Sequence, residues 1–168
     1  MPPSAGEPMA TPYVTPSGWN RQRPAALVIA CSDGRLQENL DEFLHRGLGI
    51  AHYDRLYAPG GAGALASRSG STELLRPGQF QRECQFLLRA HGIAELFLVF
   101  HGPAEDGPEE ALCGDYRRKL PSFSASQYRK QQDEDARELK RIDWGSAVRV
   151  RAYRCEVRAD NRIQFVEL

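Results

Sequence analysis

The sequence lacks several features that would indicate particular classes of protein. No apolar run approaches the ~20 residues that a membrane-spanning helix requires, so we expect no membrane association. The 22 basic residues balance 22 acidic ones, which gives no electrostatic reason to expect a nucleic acid as partner. Four cysteines in 168 residues are too few for a disulfide scaffold. The N-terminus has no apolar secretory core, so we expect reduced cysteines and a cytoplasmic location.

The composition predicts a folded domain preceded by an arm. The chain is 41% hydrophobic and 26% charged, which is typical of a globular protein with one sizeable core. Residues 1–22 contain five prolines and form, we expect, an extended or flexible N-terminal arm, with 23–168 as a single domain. Tyr13, Val14 and Trp19 offer apolar surface, so an arm that packs on a partner subunit is an equal alternative.

Apolar runs and helical patterns alternate along the domain. Strands are predicted at about 25–31, 53–58, 96–101, 148–157 and 163–166, and helices at about 36–46, 79–90 and 124–142. This order predicts an α/β fold with a mostly parallel central sheet, helices on both faces and an antiparallel hairpin at the C-terminus. The alternation changes phase near Arg154, where we expect a β-bulge. Residues 102–112, rich in proline, glycine and acids, predict an exposed loop.

Two of the apolar runs end in side chains suited to binding a metal or moving a proton. One run leads directly into Cys31, Asp33 and Arg35, and a later run leads into His101. Nearly continuous apolar runs are typical of parallel strands that are covered on both faces. Because ligands bind beyond the carboxyl ends of such strands, we expect these side chains to meet at one edge of the sheet.

The residue types favour zinc. Thiolate and imidazole are the preferred ligands of tetrahedral zinc sites, and Cys31, His101 and Cys113 would supply one such set. Asp33 either takes the fourth position or leaves it to water. Two thiolates already cancel the charge of the ion, so an arginine that holds Asp33 in a bidentate pair would keep the carboxylate off the metal. Arg35 is the candidate for that role.

These residues carry a resemblance to a known family. The segment Cys31-Ser32-Asp33-Gly34-Arg35 resembles the Cys-x-Asp-x-Arg signature of the β-carbonic anhydrases. The second signature of that family is His-x-x-Cys-Gly at the end of a later strand, where this chain has His101 and, further on, Cys113-Gly114. The order of motifs and strands agrees over about residues 20–168.

The resemblance implies a function as well as a fold. It implies a zinc ion on Cys31, His101 and Cys113, a catalytic Asp33–Arg35 pair, and assembly into a homodimer or a higher homo-oligomer. The implied reaction is the reversible hydration of CO2 to bicarbonate by zinc-activated water. The alternatives are a non-catalytic zinc module on the same fold and a zinc hydrolase or lyase that acts on another small substrate.

Two segments depart from the family pattern. Eleven residues separate His101 from Cys113, where the family has two, and Ala104 occupies the position of the family's cysteine. A loop can return Cys113 to the metal, because the entropy of loop closure grows slowly with length. Residues 59–63 (Pro-Gly-Gly-Ala-Gly) replace a segment similar to Arg-Asn-Ala-Gly-Asn in typical members.

The glycine-rich segment has a second interpretation. Residues 61–66 fit the Gly-x-Gly-x-x-Ala pattern of dinucleotide-binding loops, but no acidic residue is well placed about 20 positions further on. A tight turn near the metal is the better interpretation. Gly60, Gly61 and Ala62 are therefore candidates for the substrate pocket. Tyr116, three residues after Cys113, either lines that pocket or packs beside it.

Overall fold

The computed structural model describes residues 12–66 and 75–168, which form an α/β fold around one sheet. The strands are β1 (Ala26–Ala30), β2 (Tyr53–Tyr57), β3 (Glu95–Pro103), β4 (Arg149–Val157) and β5 (Ile163–Glu167). Their order in the sheet is β2-β1-β3-β4-β5. The first four run parallel, and β5 pairs antiparallel with β4. This arrangement confirms the predicted fold class.

Four α-helices flank the sheet in the described residues. They are α1 (Gln37–Glu42), α2 (Arg76–His91), α3 (Gly114–Lys119) and α4 (Ala125–Lys140). Helix α1 continues into a π-helical turn at Phe43–Gly47. Helix α4 begins with a capping box, in which the side chains of Ser124 and Gln127 satisfy each other's backbone N–H groups. Helix α3 has no counterpart among the elements predicted from sequence.

Both faces of the sheet are buried, as the continuous apolar runs predict. All five residues of β1 are buried. Leu27 and Ile29 pack on the face covered by α2 and α4, and Val28 packs on the face covered by α1. Burying each large aliphatic side chain contributes about 1.5–3 kcal/mol. The sheet is therefore a rigid platform for whatever lies at its carboxyl edge.

The β-bulge expected near Arg154 is not there. The pairing of β4 with β3 runs without interruption from Arg149 opposite Glu95 to Val157 opposite Pro103. The apparent change of phase arises because both faces of β4 are buried at this point and one face is polar. Arg154 is 5% exposed and donates to Glu156 at 2.8 Å and to Asp133 of α4 at 2.7 Å. These buried, paired charged residues produce the same sequence pattern as a strand face that is exposed to solvent.

Residues 102–112 are less loop-like than predicted. Strand β3 extends through Gly102 and Pro103, and the N–H of Ala104 donates to the carbonyl of Val157 at 2.8 Å. A short 3₁₀ helix at Glu109–Ala111 follows. Ala104 and Ala111 are buried, whereas the four acids of the segment are exposed. The segment therefore leaves β3 beside the last residue of β4 and crosses the carboxyl edge of the sheet.

The proposed N-terminal arm lies only partly within the described residues. Its residues 1–11 fall outside them, and 12–22 are exposed. Tyr13, Val14 and Trp19 are 66%, 79% and 84% exposed, so the described chain does not cover them. The division into arm and domain stays a prediction. Among the described residues, no helix has the length and apolar character needed to cross a membrane.

Candidate metal centre

Three potential metal ligands converge at the carboxyl edge of the sheet. Cys31 directly follows β1, His101 lies near the end of β3, and Cys113 immediately precedes α3. One ligand atom from each, two sulfurs and an imidazole nitrogen, lie within 4.8 Å of one another. Because β1 and β3 are parallel neighbours, the first two ligands meet at this edge by sheet geometry alone. Cys113 reaches the same point despite the long segment before it.

The donor set fits a zinc ion. All three side chains lie close enough to ligate one ion, and both cysteines are free thiols. His101 is 5% exposed, and its Nε2 atom is buried without a hydrogen-bond partner in the described structure. A buried polar atom without a partner is costly and requires an explanation, which coordination of a metal would supply.

The two thiols of the cluster shift each other's pKa in opposite directions. A hydrogen bond from Cys113 is the main cause that lowers the pKa of Cys31 well below the ordinary thiol value, and His101 lowers it further against the effect of burial. The same hydrogen bond, together with burial, raises the pKa of Cys113. The interaction therefore favours the thiolate form of Cys31 over that of Cys113. Binding of a metal ion would favour the thiolate form of both residues.

Asp33 is turned towards Arg35 and not towards the cluster. Its carboxylate accepts hydrogen bonds from Arg35 Nε at 3.0 Å and from Arg35 Nη2 at 2.7 Å, one on each oxygen. This pairing lowers the pKa of Asp33 to about 2. Among the described residues, the converging ligand atoms come from Cys31, His101 and Cys113 without Asp33. Asp33 is therefore an ionised neighbour of the cluster that an arginine holds in place.

Two open cavities adjoin the cluster. One has a volume of about 510 Å³ and lies between the Asp33–Arg35 pair, the 102–112 segment and the turn after β4. The other, of about 570 Å³, extends from Cys31 towards Gly60 and α3. Both are lined by His101 and by Glu110. The 102–112 segment therefore places the Glu110 carboxylate beside the site, as the acidic character of this segment in the sequence leads one to expect.

The remaining pocket candidates take different positions. Gly60 lines the larger cavity. Gly61 and Ala62 are buried in the 3₁₀ helix Gly61–Leu65, and a Cβ at Gly61 would lie 2.7 Å from the backbone N of Cys31. The ring of Tyr116 is 1% exposed and lines neither cavity. Gly61, Ala62 and Tyr116 are therefore buried residues that pack beneath the site and do not line its cavities.

Comparison with known proteins gives structural similarity only. No family model matches the sequence, and neither does any curated protein. The chain is similar to a β-carbonic anhydrase from Trichomonas vaginalis, with 11% identity, a TM-score of 0.48, and coverage of 94% of this chain and 90% of that one. It is also similar to a tetrameric β-carbonic anhydrase from Sordaria macrospora, with 12% identity, a TM-score of 0.48, and coverage of 86% of this chain and 81% of that one. A third similar structure is a carbon disulfide hydrolase, with 12% identity, a TM-score of 0.47, and coverage of 85% of this chain and 78% of that one. At such low identity and TM-score, these similarities carry nothing about activity.

The other histidines lie outside the cluster. His91 Nδ1 is 2.6 Å from Asp54, and His52 Nε2 is 2.8 Å from the carbonyl of Gln22. His45 lies beside the ring of Tyr53. Among the described residues, His101 is therefore the histidine that can join two thiolates.

Proposed function

We propose that the protein is a zinc enzyme that interconverts CO2 and bicarbonate in the manner of the β-carbonic anhydrases. The observation that carries the proposal is the convergence of Cys31, His101 and Cys113 beside a carboxylate that Arg35 holds away from them. When bound there, zinc would supply Lewis-acid activation of water near neutral pH.

The chain's own groups would control charge and orientation. Two thiolates neutralise a divalent ion, so an additional carboxylate ligand would make the site anionic. The carboxylate of Asp33 accepts from three N–H groups of Arg35, which leaves about one of its four lone-pair positions to accept a hydrogen bond from the reacting water. Asp33 would thereby orient the water, and its low pKa keeps it ionised throughout the working range.

Assembly is part of the proposal. The arm exposes Tyr13, Val14 and Trp19, which are large side chains that a second copy of the chain could cover. We therefore propose a homodimer or a larger homo-oligomer, to be tested by light scattering on the intact chain and on a chain that lacks residues 1–22.

The function is tested by zinc content together with stopped-flow CO2 hydration. We expect about one zinc per chain and hydration above the buffer rate. Cys31→Ser should lose the metal. Asp33→Asn should retain it and lower kcat/KM by about 10²-fold, in the range of a lost general acid–base or orienting group. Asp54→Asn, which alters an aspartate in the first half of β2 beside His91 and outside both cavities, is the matched control.

A second candidate function follows from the size of the cavities. Volumes of about 510 and 570 Å³ exceed what a three-atom substrate requires and lie in the range of pockets that hold larger ligands. Zinc without CO2 hydration would favour a zinc hydrolase or lyase acting on another small molecule, which p-nitrophenyl acetate would probe first. Zinc with neither activity, in a shell closed by protein ligands, would favour a non-catalytic zinc module.

A further inference from the structure

Cys113 is the ligand whose position the sheet does not determine. Eleven residues separate it from His101, so its approach to the cluster depends on what lies after it in the chain. The next element is α3, only six residues long. A helix this short is unstable by itself, because helix nucleation is costly. Contacts to the rest of the fold must therefore hold it in place.

The first anchor of α3 is Asp115. Its side chain is 1% exposed and pairs with Arg76 of α2 at 2.9 Å, as well as with Lys119 of α3 at 2.9 Å. The carboxylate occupies a hollow above Gly60, where a Cβ atom would overlap it. Gly60 also has φ +93°, which a residue with a side chain rarely adopts. Gly60 therefore provides both the turn and the space that Asp115 occupies.

The second anchor is Tyr116. Its hydroxyl donates to Asp135 Oδ2 of α4 at 2.5 Å, and Asp135 is itself 1% exposed. Asp135 also accepts from Gln131 at 2.9 Å, which fixes the carboxylate. The phenol ring lies directly over Gly63, where a Cβ atom would overlap both the ring and the hydroxyl. The first turn of α3 is thus fastened to two other helices.

The anchored residues directly follow the ligand in the chain. Cys113 is the N-cap residue of α3, and Asp115 and Tyr116 lie in the first turn after it, so anchoring that turn fixes the backbone from which the Cys113 sulfur projects. Between Gly60 and Gly63, which contact Asp115 and Tyr116, Gly61 packs against the backbone of Cys31. The segment Gly60–Gly63 therefore contacts the ligand Cys31 directly and fixes α3, which begins directly after the ligand Cys113.

We propose that Gly60–Gly63 and Asp135 form a lock for α3 that positions Cys113 as a metal ligand, an inference that rests on the proposed zinc site. Asp115, Tyr116 and Asp135 are positioning residues in this scheme. The lock assigns a role to the glycine-rich segment that neither a dinucleotide loop nor a substrate pocket provides. It also explains how the chain tolerates a long segment between two ligands.

The decisive experiment is a double-mutant cycle on zinc affinity, measured by competition with chelators of graded strength. Tyr116→Phe removes only the hydroxyl, and we expect affinity to fall by about 10- to 100-fold, as for other residues that orient a ligand. In a Cys113→Ser background the same change should have less than about a twofold effect, because the ligand it positions is gone. Cobalt loading adds a spectroscopic readout, since the thiolate-to-cobalt absorption should weaken in Tyr116→Phe.

Matched variants separate the lock from general stability. Tyr53→Phe likewise removes a hydroxyl that donates to an aspartate, here Asp41, but on the opposite face of the sheet, and zinc affinity should stay at the wild-type value. Asp135→Asn, which weakens the acceptor, should act in the same direction as Tyr116→Phe. Equal losses of affinity with and without Cys113, or no loss in Tyr116→Phe, would overturn the proposal.

A readout without metal keeps the lock distinct from the proposed function. Cys113 is 2% exposed, so in metal-free protein it should react slowly with iodoacetamide. Tyr116→Phe should accelerate its alkylation several-fold, as followed by peptide mass spectrometry, with Cys84 as the internal reference. If the wild type bound no zinc, the proposed function would fail while this rate would still decide the lock, and an unchanged rate would reject it.

Discussion

Zinc should raise the free energy of unfolding, and replacing His101 with alanine should abolish that gain. The reason lies in the buried Nε2 atom of His101, which has no hydrogen-bond partner in the described structure. An unsatisfied buried group of this kind destabilises the metal-free protein by about 1–3 kcal/mol. Coordination would remove that penalty and link the ends of β1 and β3 to Cys113.

The size of the effect follows from mass action. A ligand that binds only the folded state stabilises it by about 4.1 kcal/mol when its free concentration is about 1,000 times Kd. For a domain of this length each kcal/mol raises Tm by about 2–4 °C, so we expect a shift of about 8–16 °C. Metal-free His101→Ala should unfold within about 2 kcal/mol of the wild type, because lost packing and the removed unsatisfied nitrogen oppose each other.

Differential scanning fluorimetry in metal-buffered solutions is a suitable assay. His91→Ala is the control, because His91 lies on the surface beside Asp54 and outside the cluster. It should show the full zinc-dependent shift, whereas His101→Ala should show less than about a quarter of it. A full shift in His101→Ala would mean that zinc binds elsewhere, and the assignment of the cluster would be wrong.

Three further predictions concern charge. Burial raises the pKa of Asp115, but the neighbouring cations lower it more, so its pKa lies below the usual value. The ionised carboxylate therefore stabilises the fold fully above the unfolded pKa of about 3.9, and this stabilisation is lost as pH falls through the folded pKa. In urea titrations from pH 6 to 3, the free energy of unfolding should fall less in Asp115→Asn than in wild type. Arg154→Met should cost about 2–4 kcal/mol in urea unfolding because it strips Glu156 of a partner 2.8 Å away, whereas Arg154→Met/Glu156→Leu should be nearly neutral. Glu110→Gln removes a carboxylate from both cavities, and inhibition of CO2 hydration by thiocyanate should strengthen about two- to fivefold.

Each of these predictions has an opposing result. An acid profile of Asp115→Asn that parallels the wild type would show that the cations do not hold the carboxylate ionised. A double variant as unstable as Arg154→Met alone would show that packing, and not the stranded charge, sets the cost. Anion inhibition unchanged in Glu110→Gln would place that side chain too far from the site to matter.

The sequence was sufficient for the sheet because each strand is encoded locally. Residues 26–30 and 96–100 are nearly continuous apolar runs, and such runs predict buried parallel strands whatever surrounds them. The same pattern misled at β4, where Arg154 and Glu156 are buried by pairing with each other and with α4. A polar side chain in a strand indicates exposure to solvent only when no buried residue from another element pairs with it. Such tertiary partners cannot be recognised in a local sequence pattern.

In the candidate site, too, some ligand positions follow from local sequence patterns and one depends on tertiary contacts. Cys31 and His101 could be placed together from sequence, because parallel neighbouring strands bring their carboxyl ends to one edge. Cys113 could be proposed only from its residue type and from the Cys113-Gly114 pair that resembles the end of the second signature. The contacts that fix α3 join Asp115 to a residue 39 positions earlier and Tyr116 to one 19 positions later. No periodicity encodes such pairs, and α3 is too short to show a helical pattern. The position of the third ligand is therefore a tertiary property, which is why the lock on α3, and not the ligand motif, is the part of the site most worth testing.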